Sequence, residues 1–232
     1  MKRLTLLAVA FCLLLFSALP ATADIIVGLP ADPGTGNCFP LSCSYSNEYQ
    51  QVYSSNQFSG PITITGLQFF NTQYDSGVTS MGSGTWTFSL STTSADWNTL
   101  SATFGSNLGA DNTQVFSGNL NQPWTFGDTL SIDLTTSFTY NPADGNLLLD
   151  VVSNSSSPDG NIYFDVNSGN DFLGRVYCSG GSGCSGSGSV DAGFGLVTGF
   201  VTGNATPEPA SLLLMGTGLL MFGGYVRRKL AR

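Results

Sequence analysis

Histidine is absent from the chain. That removes imidazole general bases, His-dependent nucleophile triads and imidazole zinc sites. Cations are scarce in the interior of the sequence as well. Lys2 and Arg3 open the chain, Arg227, Arg228, Lys229 and Arg232 close it, and only Arg175 lies between. Fourteen of the fifteen acidic residues fall in that same interior, from Asp24 to Asp191. A surface so acidic repels phosphate backbones and anionic headgroups, which excludes nucleic acid as a partner. One arginine is too few for a phosphate clamp. An enzyme built from this interior would have to work with carboxylates, serines and tyrosines alone.

Long apolar runs are missing everywhere except at the two ends. At the N-terminus, Lys2 and Arg3 precede an apolar stretch from Leu4 to Leu19, followed by Ala21-Thr22-Ala23. A charged n-region, an apolar h-region and a small-x-small site in that order form a secretory signal peptide. Residues 1–23 are therefore read as a signal helix, cleaved after Ala23, with Asp24 as the first mature residue. A retained N-terminal anchor is the alternative, and the Ala-x-Ala site argues against it. Cys12 lies in the h-region and leaves with the signal.

Four cysteines remain: Cys38, Cys43, Cys178 and Cys184. An even number in an exported chain points to disulfides, with three connectivities open. Proximity favours Cys38 with Cys43 and Cys178 with Cys184. Loops so short remove little unfolded-state entropy, on the order of 2 kcal/mol each, so the core must supply most of the stability. Zinc binding by the four thiols lacks the C-x-x-C spacing.

Residues 24–205 are long enough for one domain with a substantial core. They are rich in Gly, Ser, Thr, Asn and aromatics and poor in helix formers, the composition of strands and turns. Alternation agrees. Trp86, Phe88 and Leu90 face one way in GTWTFSLSTT. Leu130, Ile132 and Leu134 do so in TLSIDLTT, and Ile62 and Ile64 in PITITGLQFF, where Gly66 marks a bend or bulge. Further strands are expected at Glu48–Tyr53, Thr113–Phe116, Arg175–Cys178 and Gly193–Thr202, and one helical turn at Ser94–Leu100 capped by Ser94. The pattern is an all-β, antiparallel β-sandwich of jelly-roll or Greek-key type.

One stretch repeats. DGNLLLDV at 144–151 recurs as DGNIYFDV at 159–166, each just after a proline, Pro142 and Pro158. Asp-Gly sets the turn. Leu147, Leu149 and Val151, and in the second copy Ile162, Phe164 and Val166, then point to the core. Asp150 and Asp165 fall on the outer phase and are read as solvated strand-face aspartates. As the paired carboxylates of a glycan hydrolase they would need a cleft and unequal environments, for which the sequence supplies nothing.

Asp165, Asn167 and Asp171 offer oxygen ligands at alternate positions in DVNSGND. Such spacing can wrap a calcium ion, but the glycine and distal glutamate of an EF-hand loop are missing. A polar loop is expected, with weak calcium binding as the alternative and no other cofactor. Trp97 and Trp124 lie near turns beside Asp96 and Pro123. They are the candidates for glycan contact, against the reading that they plug the ends of the sandwich.

The C-terminus carries Pro207-Glu208-Pro209, an apolar run from Ala210 to Val226 interrupted by Gly216 and Gly218, then Arg227, Arg228, Lys229 and Arg232. As a helix the run spans about 25 Å, short of the ~30 Å hydrocarbon core. The basic cluster would stay cytoplasmic and hold the acidic domain outside. The Pro-flanked Glu208 keeps the chain extended where a protease could bind it. In this order of parts, residues 206–232 resemble the PEP-CTERM protein-sorting signal, with Thr206 where the usual residue is Val. The resemblance implies a Gram-negative bacterium that makes extracellular polysaccharide. It also implies an exosortase, a membrane transpeptidase-like enzyme, that removes the tail after transient anchoring in the inner membrane. The expected role is a non-enzymatic structural or adhesive protein of the cell surface or exopolysaccharide matrix. The alternatives are a carbohydrate-binding module and a carboxylate-dependent glycan hydrolase.

Overall fold

The computed structural model describes residues 24–42, 48–81, 83–120, 122–154, 161–178 and 186–203. The signal segment with Ala21 and Ala23, Cys43, Cys184 and the whole sorting tail lie outside the described residues. The compact unit runs from Asp24 to Gly203.

Twelve strands are described. They are β1 (Ile25–Val27), β2 (Glu48–Tyr53), β3 (Ile62–Phe70), β4 (Trp86–Thr93), β5 (Thr113–Gly118) and β6 (Thr129–Tyr140). The remainder are β7 (Asn146–Ser153), β8 (Val166–Ser168), β9 (Leu173–Tyr177), β10 (Ser189–Ala192), β11 (Phe194–Leu196) and β12 (Thr198–Thr202). All pairings are antiparallel. One sheet has the order β1-β12-β3-β6, a second β10-β9-β2-β7-β4-β5, and β11 pairs with β8. Among these neighbours only β4–β5 and β9–β10 are consecutive in sequence. The fold is therefore built from long-range pairings, which local turn chemistry does not specify.

The two larger sheets meet through aromatic side chains. Tyr53 of β2 meets Phe200 of β12 edge to face at 5.0 Å, and Phe69 of β3 lies 6.4 Å from Phe88 of β4. Phe58, in the connection after β2, packs on both Tyr140 and Phe200 at 5.0 and 5.5 Å. Such edge-to-face pairs add about 0.5–1.5 kcal/mol each beyond the area they bury. The Tyr53 hydroxyl also donates to Thr198 Oγ1 at 2.8 Å, so a buried polar atom is satisfied across the same gap.

The alternating residues face this core as expected. Trp86, Phe88, Leu90, Leu130, Ile132, Ile62 and Ile64 are buried. Gly66 marks a bulge: the register of β3 with β6 shifts between Ile64 and Gly66, and the facing register of β12 shifts between Val201 and Thr202. The extra residue changes the phase, so Leu67 and Phe69 point inward in place of Gly66 and Gln68. A Cβ at Gly66 would lie 3.0 Å from Val201 Cβ, which is why the bulge carries glycine. Opposite it, β6 leaves the β3 ladder over residues 134–137. There the Thr135 hydroxyl donates to the Val115 carbonyl of β5 at 3.0 Å, joining the edges of the two sheets.

Three expectations are corrected. Ser94–Leu100 forms turns rather than a helical turn, and Asp96, not Ser94, ties it. The Trp97 N–H donates to Asp96 Oδ1 at 2.8 Å, and the Thr99 N–H to the Asp96 carbonyl at 3.0 Å. Gly193–Thr202 is two strands, β11 and β12, broken at Val197, whose N–H is claimed by the Asp165 carbonyl at 2.9 Å. The repeat diverges as well. Its first copy is β7, but residues 161–165 of the second form no strand. Their backbone partners are divided: Phe164 bridges to Asn37 and the Asp165 N–H donates to the Phe70 carbonyl. The side-chain phase still holds, with Ile162, Phe164 and Val166 buried.

Candidate functional site

Asp150 is buried, not solvated. It sits at the centre of the outward face of the six-stranded sheet, opposite Gln50 of β2 and Ser89 of β4. That face is covered by the connection between β4 and β5. Leu100 packs with Val52 and Leu148, and Phe104 with Val176 and Cys178. A polar network seals the cover. Gln50 Nε2 donates to Asp150 Oδ1 at 3.1 Å and to the Phe104 carbonyl at 3.2 Å, while Asn107 Nδ2 donates to Gln50 Oε1 at 2.9 Å. Glu48 lies on the same face, two residues along β2, and is half-buried. Burial first, then the neighbouring Asp150, pushes the Glu48 carboxyl up to about 7. Burial raises Asp150 to about 6, against the Gln50 hydrogen bond that lowers it. The two acids hinder each other's ionisation. Glu48 was not singled out from sequence, because its partner is 102 positions away and only the β2–β7 register brings them together.

Asp165 is far from solvent for a different reason. Its Oδ1 accepts the Thr72 and Gln73 N–H groups at 2.7 and 3.0 Å, and its Oδ2 accepts the Thr72 hydroxyl at 2.6 Å. It pins the chain as it leaves β3. Asn167 Nδ2 donates to the Pro30 carbonyl at 2.7 Å, and Asp171 is exposed. Both Asp165 oxygens thus face protein donors. Among the described residues no group of three or more His, Cys, Asp or Glu could hold a metal ion.

Arg175, the one interior cation, points into the sandwich between two rings. Its guanidinium carbon is 4.3 Å from the Tyr177 centroid and 4.0 Å from that of Phe194. Nε and Nη2 both donate to Asp191 Oδ2, at 3.0 and 2.7 Å. Nη1 is buried and has no hydrogen-bond acceptor among the described residues. The π faces partly replace that missing partner.

The tryptophans divide. Trp124 is buried, 5.4 Å from Phe164 in the core, and its indole N–H donates to Asn71 Oδ1 at 3.3 Å. It plugs an end of the sandwich and does not present a ring to glycan. Trp97 is half-buried against Val52, Leu100 and Leu148, and its carbonyl lies where a Cβ on Gly174 would stand, at 2.1 Å. The exposed aromatics are other residues: Tyr74 and Phe126, 43% and 45% accessible, close to the Trp124 end.

Cys38 and Cys178 are buried, and neither is without a partner. The fold brings their segments together. Phe39 stacks on Tyr177 at 5.2 Å, and the Cys178 N–H donates to the Glu48 carbonyl at 2.9 Å. Among the described residues no helix is long and apolar enough to cross a membrane.

A recognisable sorting motif lies beyond this domain, in the Pro-Glu-Pro, apolar and basic segments that follow it. Residues 205–229 match the PEP-CTERM protein-sorting motif. The PEP-CTERM tail implies export to the cell envelope and an exosortase as processing enzyme. The motif covers the tail alone and says nothing of the cargo domain. No curated protein matches the chain significantly. Among solved structures, a chain of the crystal structure of the T13 IBDV viral particle aligns at 12% identity over 89% of this chain and 48% of that one, with a TM-score of 0.22. A likeness that low carries no argument.

Proposed function

We propose that this is an exported, non-enzymatic protein of the cell surface or exopolysaccharide matrix, structural or adhesive in role, delivered by its PEP-CTERM tail. The match at residues 205–229 carries the reading. The apolar run halts export because moving it from lipid to water is unfavourable. Arg227, Arg228, Lys229 and Arg232 hold the C-terminus inside. Four glycines and limited length make the run a weak permanent anchor, and Pro207-Glu208-Pro209 keeps the cleavage region extended at the outer face. An exosortase then removes the tail.

A non-catalytic cargo is supported by where the acids sit. Asp150 lies under the β4–β5 connection, and both oxygens of Asp165 are engaged with Thr72 and Gln73. A glycan hydrolase would need an open pair across a cleft. The C-terminal peptide of the protein recovered from outside the cell tests the reading. It should end near Pro207-Glu208-Pro209, and replacing those three residues with alanine should leave an unprocessed membrane-bound form. A secreted protein still ending at Arg232 refutes it.

A further inference from the structure

We propose that the loop end around Asn71 is a glycan-binding face, with Tyr74 and Phe126 as stacking platforms for a neutral polysaccharide. This rests on the surface role proposed above and gives it a ligand class.

Asn71 is buried and ties its own segment to two others. Its Nδ2 donates to the Tyr74 carbonyl at 2.9 Å and to the Tyr163 carbonyl at 2.6 Å. Its Oδ1 accepts the Trp124 indole, its N–H donates to the Asp128 carbonyl at 3.2 Å, and its carbonyl accepts the Gly127 N–H at 2.8 Å. Phe126 and Tyr74 are thereby displayed by backbone tied to one residue. Tyr163 meets Tyr74 edge to face, with centroids 4.9 Å apart and planes at 63°. Rings so inclined cannot both lie flat on one sugar, so the exposed Tyr74 is the platform and the half-buried Tyr163 supports it. Asp165 holds the adjoining Thr72–Gln73 backbone. Little ordering entropy is then lost when a ligand binds.

Acidic residues neighbour both rings in sequence, Asp75 next to Tyr74 and Asp128 two residues after Phe126. The Asp75 carboxylate accepts the Gly77 N–H at 2.8 Å, and Asp128 Oδ2 accepts the Thr125 N–H at 2.7 Å. Each carboxylate retains acceptor capacity for a hydroxyl. Apolar ring faces beside hydroxyl acceptors match the two surfaces of a pyranose. Charge narrows the class. Between Asp24 and Gly203, fourteen acids face one arginine, so uronate or phosphorylated chains are repelled. Size narrows it further, since a few rings fall well short of the ~800 Å² per partner of a stable protein interface.

The test is affinity electrophoresis of the full processed protein in gels containing hydroxyethylcellulose, galactomannan, soluble starch or polygalacturonate. Retardation is expected in at least one neutral gel and not in polygalacturonate. Tyr74→Ala and Phe126→Ala should each weaken it about tenfold, and Tyr74→Phe should retain it. Val190→Ala, an exposed apolar residue on β10, is the matched control and should bind as wild type. Thermal unfolding of each variant separates lost binding from lost fold. No retardation in any neutral gel, equal loss in Val190→Ala, wild-type binding by both ring deletions, or preference for polygalacturonate overturns the proposal. None of these outcomes bears on tail removal, which is read from the C-terminal peptide.

Discussion

Replacing Asp150 with asparagine asks whether the fold holds two acids against their own ionisation. Asp150 moves from an ordinary 3.8 to about 6 and Glu48 from 4.5 to about 7. Both shifts are upward, so between the unfolded and folded values the native chain keeps protons that the unfolded chain has released. The stability they contribute is fully present below about pH 4 and is lost as pH rises through about 6 to 7. The Asp150 shift of about two pH units corresponds to roughly 3 kcal/mol. Glu48 is half-exposed, its share is screened, and the two titrate as a coupled pair, so the shares do not add. Asparagine removes the charge and keeps an oxygen for Gln50 Nε2, which stands 3.1 Å away. The expected gain is about 1–3 kcal/mol at pH 8 and near zero at pH 4. Urea unfolding followed by tryptophan fluorescence at pH 4, 6 and 8 measures it. If Asp150→Asn is less stable than wild type at pH 8, or the wild-type midpoint climbs from pH 5 to 8, the reasoning fails.

The Arg175–Asp191 pair should respond asymmetrically. Asp191→Asn strands a guanidinium that is already short of one acceptor and should cost about 2–4 kcal/mol, whereas Arg175→Met leaves a partly exposed Asp191 that water can hydrate and should cost less than about 1.5 kcal/mol. Equal losses in urea midpoints refute this. Non-reducing peptide mapping should find Cys38 joined to Cys43 and Cys178 to Cys184. The Phe39–Tyr177 contact brings the two segments together, so a cross-link between the N-terminal and C-terminal pairs is the result that overturns the local assignment.

Alternation and composition determined the strand class, because a side chain's face depends on its own position parity and needs no knowledge of the neighbour. Ile62, Ile64, Trp86, Phe88, Leu130 and Ile132 were legible in that way, and so was the bulge at Gly66. The sorting tail was legible for a similar reason: Pro-Glu-Pro, an apolar run and a basic cluster act in linear order, with no tertiary contact required. What pairs with what was not written locally. Asp150 and Asp165 occupy matching places in a repeat, yet one lies beneath the β4–β5 connection beside Glu48 and the other holds Thr72 and Gln73. Trp124 reads as a turn residue in sequence and is a core residue in space, while Tyr74 and Phe126 are displayed by way of Asn71. Burial and charge proximity depend on contacts across tens of residues, and those exist only once non-consecutive strands have chosen their neighbours.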